Sequence, residues 1–283
     1  MAKFDYTDAE IETLIGDIYS GAISQLNLPE DFYLSLAKYL TQGVERGMGG
    51  AIDNVKWGEA DAKLAESLQE NVYHFSAART FQQTLEMSEA MTNEDGKLIS
   101  FKDFQEEARH IYARYNGGDI TEADGSTQQL TGYLQTEYNT AIQQASNAKQ
   151  WNNIEKQKET LPYLRFVAVG DELECEICGE LDGVCLPVDD DFWDANSPEA
   201  HFNCRCVLEQ LDKEEGEDNE SSQEEANTAD EKADVPENFR YNAGKQQEIF
   251  STEGESKHPY FSVPKEYSKF ARGNFGLPMM DED

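Results

Sequence analysis

Cys175-Glu-Ile-Cys178-Gly-Glu-Leu-Asp-Gly183 and, after a loop, His201-Phe-Asn-Cys204-Arg-Cys206 decide how this 283-residue chain is read. All five cysteines of the sequence lie between Cys175 and Cys206. A disulfide framework spreads an even number of cysteines through a short secreted chain, whereas an odd number confined to one stretch points to metal. Two residues between Cys175 and Cys178 let the backbone curl until both thiolates reach one ion. The 22 residues between Cys178 and His201 form a loop that returns. His201 and Cys204, three apart, then supply the second pair of a tetrahedral zinc site. Cys204 and Cys206 are two apart, so in extended backbone they face the same way and compete for the fourth position. Cys185 is the spare, a buried or free thiol.

The expected site is structural, closed by four protein ligands and contributing to folding. The zinc-deaminase signature requires His-x-Glu and a Pro before Cys-x-x-Cys. Here Phe202-Asn203 follow His201, and Glu174 precedes Cys175. His-Glu-x-x-His is absent, and Gly244-Lys245 lacks the flanking residues of a P-loop. No βαβ pattern surrounds the cysteines, as a thioredoxin-like site would need. The chain is therefore expected not to be an enzyme.

Outward from this segment, the N-terminal side reads as helices. Thr7-Asp-Ala-Glu10 has capping-box form, and Ile11, Leu14, Ile15, Ile18 and Tyr19 keep helical spacing behind it. Pro29 opens a second helix, interrupted by Gly43, Gly47, Gly49 and Gly50. Further helices are predicted over 59–91, around Phe101–Tyr115, and over 126–150, where Leu130, Leu134, Tyr138, Ala141 and Ala145 share a face. The aromatic residues of these stripes read as core, and His74 and His110, without ligand neighbours, as structural or exposed. Tyr163-Leu-Arg-Phe-Val-Ala-Val169 is a strand. Residues 212–235 hold eleven acidic and two basic residues and no aromatic, a composition that reads as a disordered linker. From Pro236 onward aromatics return with little periodicity, as in an extended segment that docks on its own body or on a partner.

The fold expectation is thus mainly α. A helical body (1–158) precedes a small α+β zinc-knuckle module (159–211), an acidic disordered linker (212–235) and an extended, aromatic-rich docking tail (236–283).

Charge excludes several functions. With Asp+Glu 57 against Lys+Arg 23, the net charge is −34. Such a chain lacks the positive footprint of a nucleic-acid binder and is repelled by anionic membranes. Eleven carboxylates and no Lys or Arg fall within 171–200, so the knuckle is suited to meeting protein rather than nucleic acid. No apolar run approaches the ~20 residues of a membrane span. The start, Met1-Ala2-Lys3-Phe4-Asp5, lacks signal-peptide character, so a soluble, unsecreted protein is expected.

The combination of Thr136-Glu-Tyr-Asn-Thr-Ala-Ile-Gln-Gln-Ala145, Trp151, Asp171-Glu-Leu-Glu-Cys-Glu-Ile-Cys-Gly-Glu-Leu-Asp-Gly183 and Pro198-Glu-Ala-His-Phe-Asn-Cys-Arg-Cys206 resembles the Mu F-like, or SPP1 gp7-like, phage head morphogenesis (minor head) proteins. The resemblance covers roughly 129–211. It implies a minor capsid protein of a tailed bacteriophage or prophage, present in the virion head interior and, during assembly, in the host cytoplasm. It also implies association with the portal and other head proteins, proximity to packaged DNA, and a part in packaging or ejection. The metal ligands it implies are Cys175, Cys178, His201, Cys204 and Cys206, around a structural Zn2+. Some relatives carry toxin or nuclease domains, so the alternative is a phage-encoded toxin or metal-dependent hydrolase with a C-terminal effector segment.

Overall fold

A computed structural model of the chain describes residues 4–51, 59–121, 126–172 and 174–275. Met1–Lys3, Leu173 and residues 276–283, all touched by the readings above, lie outside them. In chain order the elements are α1 (Asp8–Ser20), α2 (Glu30–Met48), α3 (Glu59–Glu89), α4 (Phe101–Asn116), β1 (Gly118–Thr121), β2 (Thr127–Leu130) and α5 (Leu134–Gln157). They continue as β3 (Tyr163–Val167), α6 (Glu176–Leu181), β4 (Cys185–Pro187), α7 (Phe192–Ala195), β5 (Val207–Leu211), α8 (Lys213–Asn219), α9 (Gln223–Ala233), α10 (Ala243–Gln246) and α11 (Ser268–Phe275). The chain is mainly helical with small sheets. It divides into two compact units, the first within Met1–Gln42, Val72–Tyr138 and Pro259–Asp283, the second within Gly43–Asn71 and Asn139–His258.

In the first unit, the Thr7 hydroxyl accepts the Glu10 N–H while Glu10 reaches back to the Thr7 N–H, which fixes where α1 starts. Leu14, Ile15, Ile18, Phe32, Leu36, Phe75, Phe81 and Phe104 fill the core. An ion pair is buried with them. Arg79, fully enclosed, donates from Nε to both Glu137 oxygens at 2.9 and 2.7 Å and from Nη2 to the Tyr115 carbonyl at 2.8 Å. Such a cation is tolerated only because its donors are met. The segment from Pro259 packs here. Gln82 donates to the carbonyls of Tyr260 and Ser262, and the Tyr260 ring lies against Phe75 and Tyr115.

In the second unit, Gly47 interrupts nothing, because α2 runs on to Met48. A Cβ at Gly47 would lie 2.2 Å from the Ile142 carbonyl oxygen and 2.7 Å from Ala145 Cβ, so the missing side chain is what lets α2 approach α5. A three-stranded antiparallel sheet, ordered β4-β3-β5, is built from the predicted strand and two shorter ones. Its outer strands are capped from outside, by a side chain at β5 and by both the backbone and the hydroxyl of one serine at β4. Gln150 donates to the Leu208 carbonyl at 2.6 Å, and Ser221 serves both backbone groups of Cys185. Trp193, Leu164, Phe166, Leu181, Trp151 and Cys178 belong to one core beneath this sheet.

Further sequence expectations are corrected. Residues 127–130, expected to open the fifth helix, form the hairpin strand β2 against β1, and α5 begins only at Leu134. Gly132, with φ 64°, makes the break. Any Cβ there would lie 2.1 Å from the Gly117 nitrogen.

The larger correction concerns 212–235, which is not a disordered linker but carries α8 and α9. Asp212 caps the first and Ser222, in a full capping box with Glu225, caps the second. Ala226 and Ala233 are buried and Ala229 packs beside them, three positions on one helical face turned toward the core that includes α6. Arg240 clasps Asp230 through two bonds, 2.8 and 2.9 Å. The apolar face is made of alanines, so average composition conceals it. The tail likewise folds onto its own chain through short helical turns, burying Phe239, Tyr241, Phe250 and Phe261.

Candidate metal centre

The local fold brings the predicted donors together. After β3 the chain turns through Gly170, φ 71°, into α6. Cys175 is the N-cap of α6, and its sulfur accepts the Cys178 N–H at 3.4 Å. The Cys-x-x-Cys spacing thus becomes the first turn of a helix, with Cys178 on its buried side. The returning segment closes a turn in which the Cys204 N–H donates to the His201 carbonyl at 3.2 Å, with Asn203 left-handed at φ 60°. Cys206 then leads directly into β5.

His201 Nε2 lies 3.0 Å from Cys175 Sγ and 3.1 Å from Cys178 Sγ, and Cys178 Sγ lies 3.7 Å from Cys204 Sγ. Two donor groups result, Cys175–Cys178–His201 and Cys178–Cys204–Cys206, each with its atoms within 4.8 Å of one another. Cys178 belongs to both. All five residues singled out from the sequence therefore converge on positions that can hold a metal ion. Cys185 does not join them; it is buried in β4, against Gly216 of α8.

These donors fit zinc. Two thiolates bound tetrahedrally at about 2.3 Å stand about 3.8 Å apart, close to the Cys178–Cys204 separation. His201 Nδ1 lies 2.9 Å from the Phe202 carbonyl oxygen, which only accepts. The ring proton therefore sits on Nδ1, and Nε2 turns its lone pair toward the sulfurs. The sulfur–nitrogen contacts are about half an ångström shorter than the spacing across a bound ion, so the ring and thiols move apart slightly to admit one.

The surroundings hold this arrangement. From α5, Gln143 donates to the Cys204 carbonyl at 3.1 Å, Asn147 to the Pro198 carbonyl at 2.9 Å and Asn139 to Asn203 at 3.1 Å. Arg205 makes a two-pronged pair with Asp171, 2.7 Å on each arm, tying the loop after β3 to the Cys204–Cys206 turn. The cavity bounded by Cys175, Cys178, His201 and Cys206 measures about 20 Å³, room for one water or ion and no more. Hydrogen bonds from Cys178 and Cys206, then the N–H groups of Cys206 and Glu199, hold the Cys204 thiol far below its usual range. Its hydrogen bond to Cys204 pushes Cys178 upward.

Three features escape sequence reading. Glu199 is buried with a left-handed backbone, φ 70°, and one carboxylate oxygen accepts from Thr140 at 3.4 Å. Burial, then the neighbouring Cys204, pushes its carboxyl well above the ordinary range. The Arg205–Asp171 clasp spans 34 positions in sequence. Gln143 and Asn147, four apart on α5, were legible only as polar residues beside an apolar stripe.

A family model described as Phage Mu protein F like protein matches residues 36–209, from within α2 to within β5. No curated protein and no solved structure matches the chain.

Proposed function

The chain belongs to the phage Mu protein F like family of head morphogenesis proteins, and from that membership we propose that it is a minor head protein of a tailed bacteriophage or prophage. It acts in head assembly beside the portal and other head proteins, within the head and, before that, in the host cytoplasm. A part in DNA packaging or ejection follows from that position. Its thiol–imidazole cluster is a structural Zn2+ site. The observation that carries this reading is the family match, whose span includes every candidate donor from Cys175 to Cys206.

The site's chemistry supports a structural role. Bound zinc would link α6 to the strand-entry turn at Cys204, joining two segments that α5 and the Arg205–Asp171 clasp only orient. Thiolates carry most of the donor set, the cavity admits nothing larger than an ion, and the family reading supplies no substrate. We therefore assign no enzymatic activity. The acidic surface of 171–200 and of α8–α9 favours protein contacts over direct adhesion to packaged DNA.

Fractionation of infected or induced cells tests this. The chain is expected to sediment with procapsids and to be captured with the portal, carrying one zinc per chain. Absence from procapsids and virions, with the chain free in the lysate, would overturn the head-protein reading.

A further inference from the structure

Alternation along the paired strands puts Tyr163, Arg165 and Val167 of β3 on the same face of the small sheet as Val207 and Glu209 of β5, with Val167 directly opposite Val207. α8 covers the far end of that face, where Gly216 lies against Tyr163 and Cys185. The end beside the thiol–imidazole cluster is open. Val207 is 50% exposed and Val169, just beyond β3, is 44% exposed. Val169 also borders the small cavity together with His201 and Cys206, and Phe202, which follows His201, is exposed as well. Three of the nine large exposed apolar side chains among the described residues thus border the candidate metal centre. Singly scattered apolar residues need no explanation, but a cluster of them marks a contact surface.

The charge around this cluster has one sign. Between Val167 and Val207 the sequence holds a single Lys or Arg, Arg205, and Asp171 pairs with it at 2.7 Å on each arm. On the sheet face Arg165 is likewise paired with Glu209. Glu172, Glu174, Glu176 and Glu180 are exposed, and of these Glu180 has Lys232 at 3.8 Å. Such a field repels acidic partners and nucleic acid and favours a partner that brings its own cations. We propose that this open end of the sheet face is a docking surface for a segment of another head protein that carries an apolar side chain between Lys or Arg residues. The apolar side chain seats on Val167, Val169 and Val207, and the cations face Glu172, Glu174 and Glu176. The choice of partner rests on the head-protein reading above.

Binding of the full chain to short overlapping peptides that cover the portal and capsid proteins encoded with it tests the proposal. The peptides that bind are expected to share an apolar residue flanked by Lys or Arg, and to bind less as salt is raised. Val207→Asp should weaken them about tenfold or more. Glu172→Lys combined with Glu176→Lys should weaken them about fivefold at low salt and hardly at all at high salt. Should Val207→Asp disturb folding, Val169→Ser, at an exposed position outside the strand, decides in its place. Absence of any binding peptide, binders without the basic-apolar pattern, or wild-type binding by the valine variant overturns the proposal. So does self-association of the chain that Val207→Asp abolishes, which would give the face to a second copy. Uptake of the valine variant into procapsids at the wild-type level would likewise overturn this surface while the head-protein reading stands. Absence of the wild-type chain from procapsids would instead remove the head-protein reading itself.

Discussion

Residues 171–206 and residues 212–235 carry eleven carboxylates each, yet they are ordered by different means. The first stretch has little regular structure: one six-residue helix, one short strand and one four-residue helix. It converges on five Cys and His side chains that could hold a metal ion. The second consists almost wholly of two capped helices whose small buried residues, Gly216, Ala226 and Ala233, let them lie close to their neighbours. High negative charge therefore does not determine order. What matters is whether enough surface, or an ion, is gathered to offset the entropy of ordering.

The sharpest way to separate the two is to remove the metal. Chelation, or Cys178→Ser, is expected to abolish hydrogen-exchange protection across 171–211, since structural zinc contributes on the order of 10–16 kcal/mol in small metal-folded units. Protection of α8 and of α1 and α4 should persist. Equal protection across 171–211 with and without chelator would refute the proposed role of the ion.

The converse change is Ala226→Asp. Its Cβ position is fully enclosed, so an unpaired carboxylate there should cost about 3 kcal/mol or more. Protection over 223–233 should vanish, and, because α9 packs on α6, zinc affinity should fall with it. Retention of full zinc affinity would show that the knuckle holds without its acidic brace.

A smaller effect is expected at Gly216, where an added Cβ would lie 2.2 Å from Tyr163 Cδ2. Gly216→Ala should cost about 1–3 kcal/mol through overpacking, read as a lower midpoint of denaturant unfolding. It should leave zinc affinity unchanged.

The smallest effect concerns the cap of α9. The Ser222 N–H, then its hydroxyl, hold the Glu225 carboxyl below its ordinary value of 4.5. A lowered folded-state value means that this contribution is present above the unfolded value and is lost as pH falls through the folded one. Protection over 223–233 should therefore weaken on acidification below about pH 4.5. Glu225→Gln, which removes the titrating group, should abolish most of that pH dependence; an unaltered profile would assign it to other carboxylates.

Legibility from sequence followed how local each determinant is. The capping box at Thr7–Glu10 and the Cys-x-x-Cys turn are complete within four residues, and both were readable. The gathering of Cys175, Cys178, His201, Cys204 and Cys206 in one place was likewise expected from spacing and resemblance, because coordination chemistry restricts residue type. The order of α9 was not, since three alanines become an apolar face only when α6 is there to receive them. The strand β2 was missed because Leu130 matched a helical stripe, while the decisive fact, the close approach of Gly132 to Gly117, is tertiary. Glu199 and the Arg205–Asp171 clasp depend on chain return and leave no periodic trace.

The closure of the small sheet's two edges has a consequence for assembly. An unpaired strand edge offers a row of donors and acceptors on which another chain can add as a further strand, the common route to unwanted association. At Leu208 on one side and Cys185 on the other, Gln150 and Ser221 already occupy those groups. In a crowded particle of the kind proposed, neighbours meeting the sheet at these positions find no template for strand addition. Recognition there falls to side chains, which can discriminate between partners where a bare backbone cannot.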